Sequence, residues 1–147
     1  MGNESEHLAC ANRTQKTIAH LLADPATHSP WLATTAFYKA LHVVEAVFAN
    51  DGTIGHACDH GDREGQLKRR RKYQHICTHY MPLARAATIA RYLVSVSSFD
   101  DYLAPEKVVA QLLKHHLRQL EISAKAFLKN PHELAGIESA FTPPSTY

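Results

Sequence analysis

Apolar residues recur every three or four positions through most of the chain, and no stretch sustains the two-residue alternation of a strand. The clearest helix is expected at about 30–50, where Phe37, Leu41, Val44 and Phe48 form one core-facing stripe. Thr34, Tyr38, His42 and Glu45 form a second stripe beside it, since spacings of four, four and three keep them on one side. Ser29-Pro30-Trp31 supplies a start, with serine as cap and proline in the first turn. Asn50-Asp51-Gly52 supplies a stop through residues that tolerate left-handed backbone. Before it, Leu8, Ile18, Leu21 and Leu22 mark a modest helix over about 5–23, ended by Asp24-Pro25 because the residue before proline is pushed out of the helical region. Residues 26–29 read as a connector.

A glycine-bearing loop at 53–63 precedes a third helix, about 64–79, with a thin apolar side of Leu67, Tyr73, Ile76, Cys77 and Tyr80. Met81-Pro82 closes it and opens a fourth at about 82–96, with Leu83, Ala87, Ala90 and Val94 inward. A turn at 97–104 holds the acidic pair Asp100-Asp101. Pro105-Glu106 then starts the longest helix, to about 129, along Val109, Leu113, Leu120, Ala124 and Phe127, and Pro131 breaks it. The pattern predicts an all-α, up-and-down bundle of four main helices plus a shorter N-terminal one, filling a single domain over 1–130, with a partly mobile tail over 131–147.

Composition agrees: 147 residues, 45% apolar and 20% charged, suit a globular core. The longest strongly apolar run, 41–49, is broken by His42 and Glu45 and falls far short of the roughly 20 residues a membrane span needs. The start lacks the basic-then-apolar order of a secretory leader, and Glu6 stands where a myristoylation pattern wants Ser or Thr. Cys10, Cys58 and Cys77 are too scattered for a disulfide framework, so a cytoplasmic location is expected.

Candidate chemistry gathers at 56–80, which holds four histidines and the unbroken basic run Lys68 to Lys72. The net charge of +2 implies no polyanion by itself, whereas a local patch suits phosphates. On one helix five successive side chains sweep about 400°, so at least one, Arg70 or Arg71, must turn toward the body or a partner. A buried guanidinium there requires a carboxylate such as Glu45, or an anionic ligand. Three readings compete. His56, Cys58 and His60 with His42 or Glu45 offer zinc-type ligands at a spacing that matches no standard site. Alternatively, His60, Arg63, Arg69, Arg70, His75 and His79 could supply acid, base and fixed positive charge to a phosphodiester, whose 2′-hydroxyl makes a metal unnecessary. The same groups could also hold phosphates or a partner without turnover.

The segment WLATTAFYKALHVVEAVFA, then DHGDRE, then LARAATIARYL and a long closing helix, resembles the HEPN superfamily of higher eukaryote and prokaryote nucleotide-binding domains. The likeness covers about 31–128 and is greatest in the aromatic-aromatic-x-Ala-Leu-His-x-x-Glu-Ala helix and the His60–Arg63 step. It implies a homodimeric helical bundle directed at RNA or nucleotides. Many members are metal-independent endoribonucleases of toxin or defence systems; others only bind RNA, nucleotides or an antitoxin protein. Arg70 to His75 fits the family's Arg-x4-His spacing, and Arg69 to His75 fits Arg-x5-His. The resemblance therefore points to His42, Glu45, His60 and Arg63 as a polar cluster, with Arg70 and His75 added for catalysis and no cofactor or metal. Lys68, Arg69, Arg71 and Lys72 would contact backbone phosphates.

Overall fold

Capping side chains start the first three helices in the computed structural model, which describes residues 2–54, 59–92 and 103–141. Asn3 accepts from the Glu6 amide at 2.9 Å and starts α1, Glu4–Leu21, which buries Leu8, Ala11, Gln15 and Ile18 along one side. Asp24 accepts from the Thr27 amide and starts α2, Pro25–Ala49, with Pro25 in the first turn. Helix α3, His60–Arg69, follows Asp59 as its cap. Arg70 is extended, a 3₁₀ turn covers Arg71–Tyr73, and α4 spans Gln74–Tyr92. The closing rod is compound: α5, Pro105–Lys107, a π-helical segment, Val108–Leu117, and α6, Arg118–Lys125. Two short 3₁₀ turns, Pro131–Glu133 and Ile137–Ala140, end the described chain. Among the described residues there is no strand, and the protein is an all-α bundle.

Several boundaries depart from the sequence expectation. Pro30 and Pro82 lie inside α2 and α4 and start neither. Each removes a hydrogen bond to the carbonyl four residues earlier, at Ala26 and Thr78, and both those residues are exposed, so water can satisfy the orphaned acceptor. Ser29 is buried within α2. Helix α2 stops with Asn50 in the right-handed region (φ −92°, ψ −4°), so no left-handed cap is used. The Asn50 amide instead donates to Glu4 Oε1 at 2.5 Å and to the Phe127 carbonyl at 3.2 Å. In the closing rod, the wider π winding shifts the buried line to Val108, Leu112, Leu113, Leu117, Leu120 and Ala124, leaving Val109 and Phe127 half-buried. The expected turn at 97–104, with Asp100-Asp101, and the far end of the tail lie mostly outside the described residues.

Helix α2 is the axis of the core. Phe37, Ala40, Val43, Val44, Val47 and Phe48 are buried, as are Leu83, Ala86 and Ala87 of α4 and Leu113, Leu117 and Leu120 of the rod. Within this apolar interior sits Lys39, wholly buried, 2.5 Å from Glu121 Oε2. Its ammonium also donates to Gln15 Oε1 and to the Ala135 carbonyl, both at 2.7 Å, and Glu121 Oε1 accepts from the Ile137 amide at 2.8 Å. Burial pushes Lys39 down and Glu121 up, against the attraction between them. At the other end of α1, Glu4 accepts from the Lys129 and Asn130 amides at 2.7 and 2.9 Å.

Removing one member of a buried ion pair strands the other charge. Lys39→Met should cost about 3–5 kcal/mol of unfolding free energy in urea, and Lys39→Met with Glu121→Leu should recover part of that loss. Equal midpoints for wild type and Lys39→Met would count against a structural role for the pair.

Candidate functional site

The first turn of helix α3 directs side chains toward the second half of α2, at Phe37 and Glu45. Asp59 accepts from the Asp62 amide at 2.7 Å, which fixes the turn carrying His60 and Arg63. From there Arg63 Nε reaches Glu45 Oε1 at 2.7 Å, and both side chains are about nine-tenths buried. Arg63 Nη1 lies 3.1 Å from His60 Nδ1. Because a guanidinium only donates, His60 Nδ1 accepts, and the neutral ring carries its proton on Nε2. The His60 ring also stands against Phe37, with centroids 5.4 Å apart. Behind Arg63 the fully buried Tyr80 hydroxyl makes no hydrogen bond among the described residues; burial pushes it up to about 12, with the nearby Arg63 opposing.

One turn before Glu45, His42 meets His7 of α1, Nδ1 to Nδ1 at 3.3 Å. One ring must donate and the other accept, so the pair presents one free Nε2 lone pair and one Nε2 proton. A cavity of about 460 Å³ opens over His7, Glu45, Phe48, Asp51 and Ile54. Another, of about 360 Å³, lies between α1 and α2 over Arg13, Tyr38 and His42.

Thus His42, Glu45, His60 and Arg63 share one neighbourhood, joined by His7 and Tyr80. Arg70 and His75 do not share its bonds. Arg70 donates to Gln66 and, at 3.0 Å, to the Thr53 carbonyl, while His75 is exposed on α4. The basic run does not wind round a single helix: Lys68 and Arg69 end α3, Arg70 is extended, and Arg71 and Lys72 lie in the 3₁₀ turn. The break relieves the 400° sweep, and the carboxylate Glu45 goes to Arg63 instead of Arg70 or Arg71. Lys68, Arg69, Arg70 and Arg71 line a groove of about 620 Å³ with Gln74, Cys77 and Thr78. Lys72 turns away to Asp51 at 2.9 Å. Asp51 also accepts from Thr53 Oγ1 and the Tyr73 hydroxyl, each at 2.6 Å, and these bonds hold its carboxyl far below the usual range. Of the zinc-type set in the loop, His56 and Cys58 lie outside the described residues.

Sequence reasoning missed His7, and also a second imidazole group formed by His79 of α4 with His115 and His116 of the π-helical segment. His79 Nδ1 lies 3.0 Å from His116 Nδ1. Neither grouping has a signal in local spacing, because each joins residues at least 35 positions apart. No family model matches the chain, and neither does any curated protein or solved structure compared with it.

Burial is the leading cause that holds the imidazoles of His7, His42, His79 and His116 below their ordinary 6.5, His116 at about 4. As pH falls from 6.5 toward 4, the unfolded chain therefore takes up protons that the folded chain refuses, and stability drops across that window. The urea midpoint should be lower at pH 5 than at pH 7.5, and His116→Gln should flatten the difference. A midpoint that rises on acidification would contradict this sign.

Proposed function

We propose that the chain is an RNA-directed, HEPN-like protein that cleaves RNA without a metal, as a homodimer of toxin or defence type. The observation that carries the reading is the Glu45–Arg63–His60 run, in which Glu45 of α2 holds Arg63 of the same α3 whose far end supplies Lys68 and Arg69 to a basic groove. In this mechanism the groove holds backbone phosphates, and the scissile phosphate replaces His60 Nδ1 as an acceptor of Arg63. The free Nε2 of the His7–His42 pair takes the 2′-hydroxyl proton, and the 2′-oxygen attacks phosphorus. The bond from phosphorus to the 5′-oxygen breaks. His60, which takes a proton from solvent at Nδ1 once the phosphate has displaced that nitrogen from Arg63, gives its Nε2 proton to that oxygen, leaving a 2′,3′-cyclic phosphate and a 5′-hydroxyl. Arg63, fixed by Glu45, faces the charge that develops on the non-bridging oxygens. Arg70 and His75 would act at the groove, outside the reacting centre.

Exposed aromatics support self-association: Trp31 is 63% exposed and Tyr92 69%, with Arg91 lying over Tyr92. The second reading is binding alone, of RNA, nucleotides or an antitoxin protein. It is favoured by the neutralisation of Arg63 by Glu45 and of Lys72 by Asp51.

Mixed RNA incubated with the protein in EDTA should yield cyclic-phosphate ends, and His60→Ala or His42→Ala should slow the reaction about 10²–10⁴-fold. Lys68→Ala and Arg69→Ala should each lower the slope of log affinity against log salt by about 0.7–0.9. Binding with that salt slope but no cleavage selects the second reading; neither cleavage nor salt-dependent binding removes both.

A further inference from the structure

We propose that His79, His115 and His116 form a transition-metal site of the zinc type that staples α4 to the π-helical segment. One ring nitrogen from each residue lies within 4.8 Å of the other two. Ring centroids are 5.3 Å apart for His79 with either partner and 4.7 Å for His115 with His116. A tetrahedral ion with nitrogen ligands at about 2.0–2.1 Å holds its donors about 3.3–3.4 Å from one another. The His79–His116 pair, at 3.0 Å, is already near that spacing, and no pair has more than about 1.5 Å to close, within the reach of side-chain rotation.

Two features distinguish this group from a chance meeting of histidines. Adjacent residues of an α-helix point about 100° apart, so His115 and His116 would diverge on an ordinary helix. Here they fall in the ten-residue π-helical segment, whose wider turn brings successive side chains closer in azimuth; such winding is rare and concentrates at functional positions. The donor set is also uniform. Three imidazoles with no carboxylate among them suit zinc, nickel or copper and not magnesium or calcium. Three protein ligands leave a fourth position for water or an external ligand.

The residues are separate from those proposed for RNA cleavage, so this site stands or falls independently. Metal bound here links α4 to the π-helical segment and stabilises the folded chain by mass action.

The test is titration of the full chain, free of any histidine tag, with zinc chloride and in parallel with cobalt(II). The expected result is one ion per chain, tetrahedral visible bands for cobalt and a raised Tm. His79→Asn and His116→Gln, checked for native helical circular dichroism, should each weaken binding at least about 100-fold. The exposed His132→Ala should stay within about twofold of wild type. X-ray absorption of the zinc-loaded wild type should show nitrogen and oxygen ligands only, a result that needs no variant to fold. The assignment is overturned by no stoichiometric uptake, by undiminished uptake in the folded variants, or by sulfur in the shell together with loss of binding in Cys58→Ser.

Discussion

The charge on Lys39 is the constraint that the bundle is built to satisfy. An ammonium with no solvent contact must be matched by a carboxylate and by acceptors for its remaining protons. Glu121, Gln15 and the Ala135 carbonyl provide them from α6, from α1 and from the segment after the rod. Such a pair adds little net stability over apolar residues of the same shape, because desolvation offsets attraction. What it adds is selectivity. A slipped register of α1 or α6 against α2 leaves an unmatched charge in the core, so one alignment of the three helices is strongly preferred over its neighbours.

That alignment positions everything else along α2. Glu45 lies six residues beyond Lys39, facing α3 instead of α6, and uses Arg63 in the same manner. The two buried pairs differ in what remains available. Lys39 is saturated by protein groups, whereas in the proposed cleavage an incoming phosphate takes the place of the His60 nitrogen held by Arg63. The first pair is therefore architectural, and the second is the one that the proposed cleavage uses. Apart from the exposed His75, the imidazoles and guanidiniums of residues 60–80 are divided among three places: the Arg63 cluster, the basic groove and the His79 group.

The apolar stripe of α2 was readable because Phe37, Val44 and Phe48 announce themselves by spacing, and the break at Asp24-Pro25 by backbone sterics. Pro30 and Pro82 misled because a proline's effect depends on whether water reaches the acceptor it orphans, and local sequence does not carry that information. The rod was placed correctly in extent near its start, but its π winding has no periodic signature and displaced the buried line. His42, Glu45, His60 and Arg63 could be nominated because two helical stripes and one turn carry them. His7, Lys39 and Glu121 could not, since their partners are brought by the tertiary fold from distant parts of the chain.

The polar face of α1 is completed by residues made more than a hundred positions later. Glu4, Asn12 and Gln15 bond to groups 121 to 126 positions away, in the segment after the rod. A helix bundle usually gains its speed from contacts between neighbours in sequence. Here the apolar side of α1 can dock on α2 early, while its clasps wait for residues 129–136. Synthesis from the N-terminus thus leaves a helix laid down but unfastened until translation has passed residue 136, and that interval is when a chaperone or a binding partner would find it most accessible.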